Sequence, residues 1–360
     1  MEARRESLLV IFGAGASHDS VDPQIHELPP SVYPRNENFQ PPLTAHLFDN
    51  RANFRNALGN YADLPALAGR IRSETARGRA FEDVLDEVWT SAERHNDQLL
   101  FRQLLALRLY LRDTLWDCGT RWSAEADRTT NYLTLVNRIR DWQRFTDADV
   151  VLVTFNYDTL LEQACESVLG WNFASVSSYL DFPKWLILKP HGSVDWGIQI
   201  RGARPGASEQ EALRVLIGDA EQLFHLDMSI RQYDKLTSRS VLFRNTIYLP
   251  AIAIPLGTKA YFECPPSHLQ TFSDSLSAVT RILVIGWRGD EPKFMERFRG
   301  ILQSAVQIQI VDKGTGQETL ENVQNGLVLR LASVSRFDDG FSAFLRSMQL
   351  EGFLLSELTV

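Results

Sequence analysis

Cysteine is scarce in this chain. Three residues, Cys118, Cys165 and Cys264, stand far apart with no Cys-x-x-Cys pair, so neither a disulfide framework nor a four-thiolate zinc site can be assembled from them. The seven histidines fall at no metal-ligand spacing, and the expectation is a reduced, metal-free, cytoplasmic protein. Long apolar runs are missing as well. Arg4 and Arg5 are followed only by Leu8 to Phe12 before a glycine turn, too short for a signal-peptide core or a membrane span. There is no surplus of positive charge. A formal net charge of -8 argues against a general nucleic-acid binder, which shows a basic surface, though a local basic groove is compatible with it. No internal repeat and no low-complexity tract occur. What remains is an ordinary globular composition, 44% hydrophobic and 23% charged over 360 residues, with length enough for one large domain or two.

Leu8-Leu9-Val10-Ile11-Phe12 is a continuous apolar run that ends in Gly-Ala-Gly-Ala-Ser. Such a run reads as a strand buried on both faces, the kind found in parallel sheets. From Asp19 to Pro42 the proline-rich, polar sequence has no period and reads as a long loop, a feature usually tied to function. Residues 43 to 145 read as helical. Phe81, Val84, Leu85, Val88 and Trp89 recur at helical spacing, Leu99 to Trp116 is apolar on more than one face, and Tyr132, Leu135, Val136, Ile139 and Trp142 form a third stripe. Helix packing accounts for these aromatics. Sheet character returns at Val150 to Phe155, Trp185 to Leu188, Ile247 to Ile254, Arg281 to Ile285 and Val306 to Val311. Residues 201 to 245 receive no role, and Phe337 to Leu355 reads as a helix. Strands alternating with helices predict an α/β fold with a mainly parallel sheet and a helical module inserted between two strands. In such sheets ligands bind beyond the carboxyl ends of the strands, and the chain's polar and glycine motifs all fall there.

Gly13-Ala14-Gly15-Ala16-Ser17 follows its strand directly. Glycines there let a backbone approach a pyrophosphate, and the following amides and the Ser17 hydroxyl can donate to it; a tight structural turn explains the same glycines. Position 18 is His, so the third glycine of the dehydrogenase fingerprint is missing, and no acidic residue closes a second strand about 20 residues on. A nicotinamide dehydrogenase is disfavoured accordingly. Asn156 and Asp158 stand just past a buried strand, where polar groups must be hydrogen-bonded or face a cavity; capping of the helix near Thr159 is the alternative. His191, between Pro190 and Gly192, is either a ligand-facing imidazole or a satisfied buried one.

Together these residues resemble the sirtuin-like superfamily, and more closely its bacterial branch of NAD-hydrolysing domains associated with antiviral defence. Gly-Ala-Gly-Ala-Ser at 13 to 17, Thr-Phe-Asn-Tyr-Asp at 154 to 158 and Lys-Pro-His-Gly-Ser at 189 to 193 carry the resemblance. Ile-Gly-Trp at 285 to 287 and the strand end at Asp312 add to it, in matching order over roughly residues 7 to 315. The resemblance implies a Rossmann-like NAD-binding core over 1–42 and 146–330, the helical module at 43–145 and a helical tail at 331–360. It implies that Gly13, Ala14, Gly15 and Ser17 hold the pyrophosphate, and that Asn156 contacts the ribose and orients a water. Asp158 would lie near the nicotinamide amide, His191 would act as base, Gly286 would line the adenosine end and Asp312 would hold the adenine ribose. Sirtuin deacylases carry a zinc ribbon with two Cys-x-x-Cys pairs; this chain has none, and it replaces their short Phe-Arg segment after the first loop with a longer one.

The expected activity is therefore cleavage of NAD to nicotinamide and ADP-ribose in an NAD-depleting defence protein, with NAD as substrate and no zinc. ADP-ribosyl transfer, deacylation, or non-catalytic sensing of NAD or ADP-ribose are the alternatives. Because free NAD destruction is toxic, a silent resting state is expected, released by homo-oligomer assembly or a separate activating partner. The trigger, the product's linear or cyclic form and the choice between NAD and NADP are not legible in the sequence.

Overall fold

A computed structural model describes residues 6–22, 37–256, 262–297, 305–314, 316–327 and 331–356. The stretch 23–36 of the expected long loop lies outside the described residues. In chain order the chain forms β1 (Ser7–Phe12), α1 (Ala14–His18), α2 (Ala52–Gly59), α3 (Leu64–Ala76), α4 (Phe81–His95), α5 (Gln98–Glu125) and α6 (Asn131–Thr146). There follow β2 (Asp149–Thr154), α7 (Leu160–Leu169), β3 (Trp185–Leu188), β4 (Gly192–Gly202), α8 (Glu209–Gly218), α9 (Ala220–Phe224), β5 (Tyr233–Lys235), β6 (Leu242–Phe243) and β7 (Thr246–Ile252). The chain continues with α10 (Pro266–Ser275), β8 (Arg281–Ile285), α11 (Pro292–Glu296), β9 (Val306–Val311), α12 (Gly316–Leu327), β10 (Leu331–Phe337), α13 (Gly340–Arg346) and α14 (Gln349–Leu355). These elements divide into two compact units, one of residues 1–36, 121–190 and 267–360 and one of residues 37–120 and 191–266.

The first unit holds a six-stranded sheet in the order β10-β9-β8-β1-β2-β3, parallel throughout. Numbered within this unit alone, the strands run 3-2-1-4-5-6, the order of a doubly wound dinucleotide-binding sheet. The α/β, Rossmann-like expectation holds. β1 sits near the middle, and Leu8 to Phe12 are all inaccessible to solvent, which is why that segment reads as one apolar run rather than an alternation. Each large aliphatic side chain so buried contributes about 1.5–3 kcal/mol.

Register decides what comes next. Phe12 pairs with Thr154 of β2 and with Ile285 of β8, and Ile285 pairs with Val311 of β9. Four strands therefore end level, and the residues just beyond them (Gly13, Phe155, Gly286 and Asp312) emerge along one edge. Because the chain leaves β1 toward β2 on one side and returns to β8 on the other, the switch point lies between β1 and β8.

The second unit contains the antiparallel sheet β5-β4-β7-β6 and the helices α2 to α4 with most of α5. Its interior is not purely apolar. Glu263, fully buried, is ion-paired with Arg108 at 3.1 Å and with Arg231 at 2.6 Å. Arg112 makes a two-pronged contact to Asp113 at 2.9 and 2.8 Å, and Tyr61 donates to the same carboxylate at 2.6 Å. The α5 segment that reads as apolar on several faces thus also carries buried arginines one helical turn apart.

The division differs from the expected domains at three places. Residues 191–266 group with the helices instead of the parallel sheet, because β4 pairs antiparallel with β5 and β7 to build a sheet of its own. The end of α5 and all of α6 group with the parallel sheet, where Asn131 bonds to Ser20 and Asp19. The expected helical tail begins instead with β10, which pairs with β9, before two short helices. Among the described residues no helix is long and apolar enough to cross a membrane, and the three buried cysteines form no disulfide.

Candidate functional site

The glycine loop and the end of β8 interlock through backbone. Gly13 donates to Ile285 O at 3.0 Å, Gly15 donates to Gly286 O at 3.1 Å, and Gly286 donates to Val311 O at 2.9 Å. A Cβ on Gly13 would lie 2.3 Å from Gly286 O, and one on Gly15 would lie 2.9 Å from Gly286 Cα. The approach of two backbones thus demands these glycines without reference to a ligand. The loop's own amides are largely committed, since Ala16 donates to Gly13 O at 3.0 Å. Ala14 N–H is the loop amide that donates to no other described group.

Asn156 is level with this loop and nearly buried. Its Nδ2 lies 2.8 Å from Gly13 O, 2.9 Å from Ser17 Oγ and 3.1 Å from Tyr132 OH; its own N–H donates to Thr154 Oγ1 at 3.1 Å. Its neighbour Phe155 stacks on Trp287 with ring centroids 5.2 Å apart and meets Phe294 edge-on at 5.0 Å. This aromatic packing anchors the strand end from which Asn156 emerges. Tyr132 OH is 2.9 Å from Ser17 Oγ, and its ring packs against Phe12 at 5.1 Å and Phe341 at 5.9 Å. Burial, then the Asp158 carboxylate, pushes the Tyr132 phenol well above its ordinary range.

Behind Asn156 the turn is held from below. Lys189, with no solvent exposure, donates to Asp158 O at 2.5 Å and pairs with Glu162 at 2.7 Å, and Tyr179 donates to the same Glu162 oxygen at 2.9 Å. Asp158 Oδ1 accepts from Leu160 N–H at 3.1 Å, so one of its oxygens caps the start of α7. On the far side of α1, Asp19 accepts from the Ser342 hydroxyl at 2.6 Å and from its N–H at 3.0 Å. Asn131 Nδ2 donates to Asp19 O at 2.6 Å and to Ser342 Oγ at 2.8 Å. Asp22 is paired with Arg346. The C-terminal α13 thereby fixes the segment that leaves the glycine loop.

Gly13, Ala14, Gly15, Ser17, Asn156 and Gly286 come together at the switch point. Asp312 stands at the end of β9, but its carboxylate serves the following turn, accepting from Lys313 N–H at 2.7 Å and Thr319 Oγ1 at 3.1 Å. His191 belongs to the second unit, where it is buried and its carbonyl accepts from Ala253 N–H at 2.9 Å. The glycine beside it is required by strand packing, since a Cβ on Gly192 would lie 1.8 Å from Ala251 O. Sequence reasoning did not single out Tyr132, Lys189, Glu162, Asp19 or Ser342. Lys189 carried a signal, as a lone cation directly after the apolar run Trp185 to Leu188. Tyr132 did not stand out from a helix stripe. Among the described residues no cluster of histidine, cysteine, aspartate and glutamate is arranged to hold a metal ion.

No protein-family model matches the chain, and no curated protein matches it. Among solved structures it is similar to Sir2 with a p53 peptide and NAD+, at 11% identity and a TM-score of 0.39, with 97% of this chain and 94% of that chain covered. It is similar also to Sir2 bound to an acetylated peptide, at 10% identity and a TM-score of 0.40 over 97% and 94% of the two chains. A structure described as the structural basis for sirtuin substrate affinity gives 11% identity and a TM-score of 0.42 over the same shares. The fold itself is read from the chain's own strand order.

Proposed function

We propose that this chain is a sirtuin-like NAD glycohydrolase, converting NAD and water to nicotinamide, ADP-ribose and a proton, and that it serves as an NAD-depleting effector in bacterial antiviral defence. The observation that carries the reading is the placement of Asn156: a carboxamide, nearly buried and hydrogen-bonded to the glycine loop, at the β1/β8 switch point of a 3-2-1-4-5-6 sheet. Sheets of this order take dinucleotides at that point. The missing third glycine, with His18 in its place, sets the loop apart from dehydrogenases.

Breaking the bond to nicotinamide leaves positive character on the ribose carbon, as in glycoside hydrolysis. Nicotinamide departs neutral and needs no strong general acid. The protein's work is to hold the sugar, exclude bulk solvent and place one water. In this reading Asn156 contacts the ribose and the water, and Ser17 with Ala14 N–H meets the pyrophosphate. Asp158 turns the oxygen not used by Leu160 toward the nicotinamide amide, Gly286 lines the adenosine end, and Asp312 would accept from the adenine ribose only with lone pairs left over from Lys313 and Thr319. The role of proton acceptor expected of His191 rests on the sequence resemblance alone.

The test is incubation with NAD and chromatography for nicotinamide and ADP-ribose. Wild type, assayed up to protein concentrations that drive self-assembly, releases both, and Asn156→Ala under the same conditions lowers release at least about a hundredfold, the lower end of what a positioned catalytic group supplies, while remaining folded by circular dichroism. Equal release by the two proteins would remove Asn156 from the chemistry. Nicotinamide release that requires an acyl-lysine peptide would favour deacylation, and NAD binding without turnover a sensing role. We further propose that the resting protein is silent and is released by self-assembly or by a partner. Full activity at every protein concentration without additives would count against that.

A further inference from the structure

Hydrogen counting in the Asn156 cluster fixes which way each group points. Gly13 O can only accept, so the Asn156 terminus beside it is the NH2 group. One amide hydrogen serves Gly13; the other is shared by Ser17 Oγ and Tyr132 OH. Those two hydroxyls are in turn 2.9 Å apart, so one donates to the other. Tyr132 is enclosed, with 1% of its surface exposed, and has no acceptor but Ser17 among the described residues. If Ser17 were the donor, the phenolic hydrogen would be buried without a partner, which folded proteins avoid. Tyr132 is therefore the donor. Ser17 Oγ then accepts two hydrogen bonds and keeps its own hydrogen for a further acceptor. Asn156 Oδ1, turned away from Gly13, takes no hydrogen bond from any described residue.

We propose that Tyr132 is a positioning residue for this site, holding Asn156 with Oδ1 presented as an acceptor and Ser17 with its O–H presented as a donor. The identity of what these atoms meet, a water or ribose hydroxyl at Asn156 and a phosphate oxygen at Ser17, rests on the NAD reading above. The orientation itself does not. Tyr132 suits the task because its ring is fixed between Phe12 and Phe341 and its helix is anchored at Asn131. Burial keeps the phenol protonated, so it remains a donor across the working pH range.

The experiment uses the full chain labelled with 15N-asparagine, the Asn156 side-chain NH2 signals being identified by their loss in Asn156→Ala. Tyr132→Phe keeps the ring and removes only the hydroxyl. The variant is expected to melt within a few degrees of wild type, to exchange the Asn156 NH2 hydrogens with solvent roughly two- to tenfold faster, and to lower kcat for nicotinamide release by a similar factor, the equilibrium worth of one hydrogen bond. KM for NAD should change less than kcat. Unchanged amide exchange in Tyr132→Phe overturns the proposal, whatever the turnover. Faster exchange in a protein whose wild type neither binds nor cleaves NAD supports the role of Tyr132 and overturns the NAD reading instead.

Discussion

Gly286→Ala should unfold the parallel-sheet unit far more readily than its single added methyl group suggests. Gly286 has φ +59°, and an L residue in that left-handed region costs roughly 1–2 kcal/mol. The new Cβ would also lie 2.4 Å from Ala16 N, 2.6 Å from Gly15 C and 2.7 Å from Gly15 Cα. These are backbone atoms pinned by the hydrogen bonds from Gly13, Gly15 and Gly286, so they cannot step aside as a flexible side chain would. Forced overpacking of this kind adds about 1–3 kcal/mol. The expected loss is about 2–5 kcal/mol, a large part of the 5–15 kcal/mol that holds a domain together. Gly170→Ala in the same unit supplies the control: its φ is +70° and nothing lies within 4 Å of the new Cβ. The shorter unfolded-state ensemble that alanine brings is common to both variants, so their difference isolates the contact. Urea unfolding followed by tryptophan fluorescence reads it directly, through the midpoint at unchanged slope. Equal midpoint shifts in the two variants would refute the interlocking of the glycine loop with β8. If NAD binds at that loop, it should raise the midpoint of Gly170→Ala and not that of Gly286→Ala.

Two further outcomes are expected from buried charge. Lys189→Met leaves Glu162 buried without its cation and should cost about 3–5 kcal/mol, whereas pairing it with Glu162→Leu should recover most of the loss; a double variant no more stable than the single one would show that the pair does not hold the turn. Burial depresses the His268 imidazole to about 4 from 6.5, against a smaller opposing effect of its bond to the Val176 backbone. The unfolded chain therefore binds the proton first as pH falls, and stability is lost between about pH 6.5 and 4, at up to about 1.4 kcal/mol per unit. His268→Gln should flatten the stability curve across that window, and an unchanged slope would contradict the burial argument.

The sequence was most legible where one local pattern had one structural meaning. Leu8 to Phe12 must be buried on both faces, because nothing in it tolerates water, and a strand of that kind belongs in a parallel sheet. Trp185 to Leu188, Arg281 to Ile285 and Val306 to Val311 announced themselves in the same way. β10 did not: Leu331–Phe337 alternates weakly and pairs on one side only, as an edge strand, and so read as part of a helical tail. Among site residues, Asn156 and the glycines were visible because polar groups and glycines at strand ends are locally anomalous. Tyr132 was hidden within its stripe with Leu135, Val136, Ile139 and Trp142. Its ring does pack there, and only its hydroxyl has a second task.

What the amino-acid order determined alone is the apolar strands β1, β2, β3, β7, β8 and β9, and the glycines that permit close backbone approach. Tertiary structure alone decided which strands lie side by side, and hence that residues 13, 17, 132 and 156 meet. It also showed that Gly13 and Gly15 are required by Gly286, and that residues 191–266 build a separate sheet. The physical reason is that local pattern records whether a segment must be buried, whereas register and strand order depend on distant partners, for the central β1 more than a hundred residues away on both sides, and those leave no periodic trace.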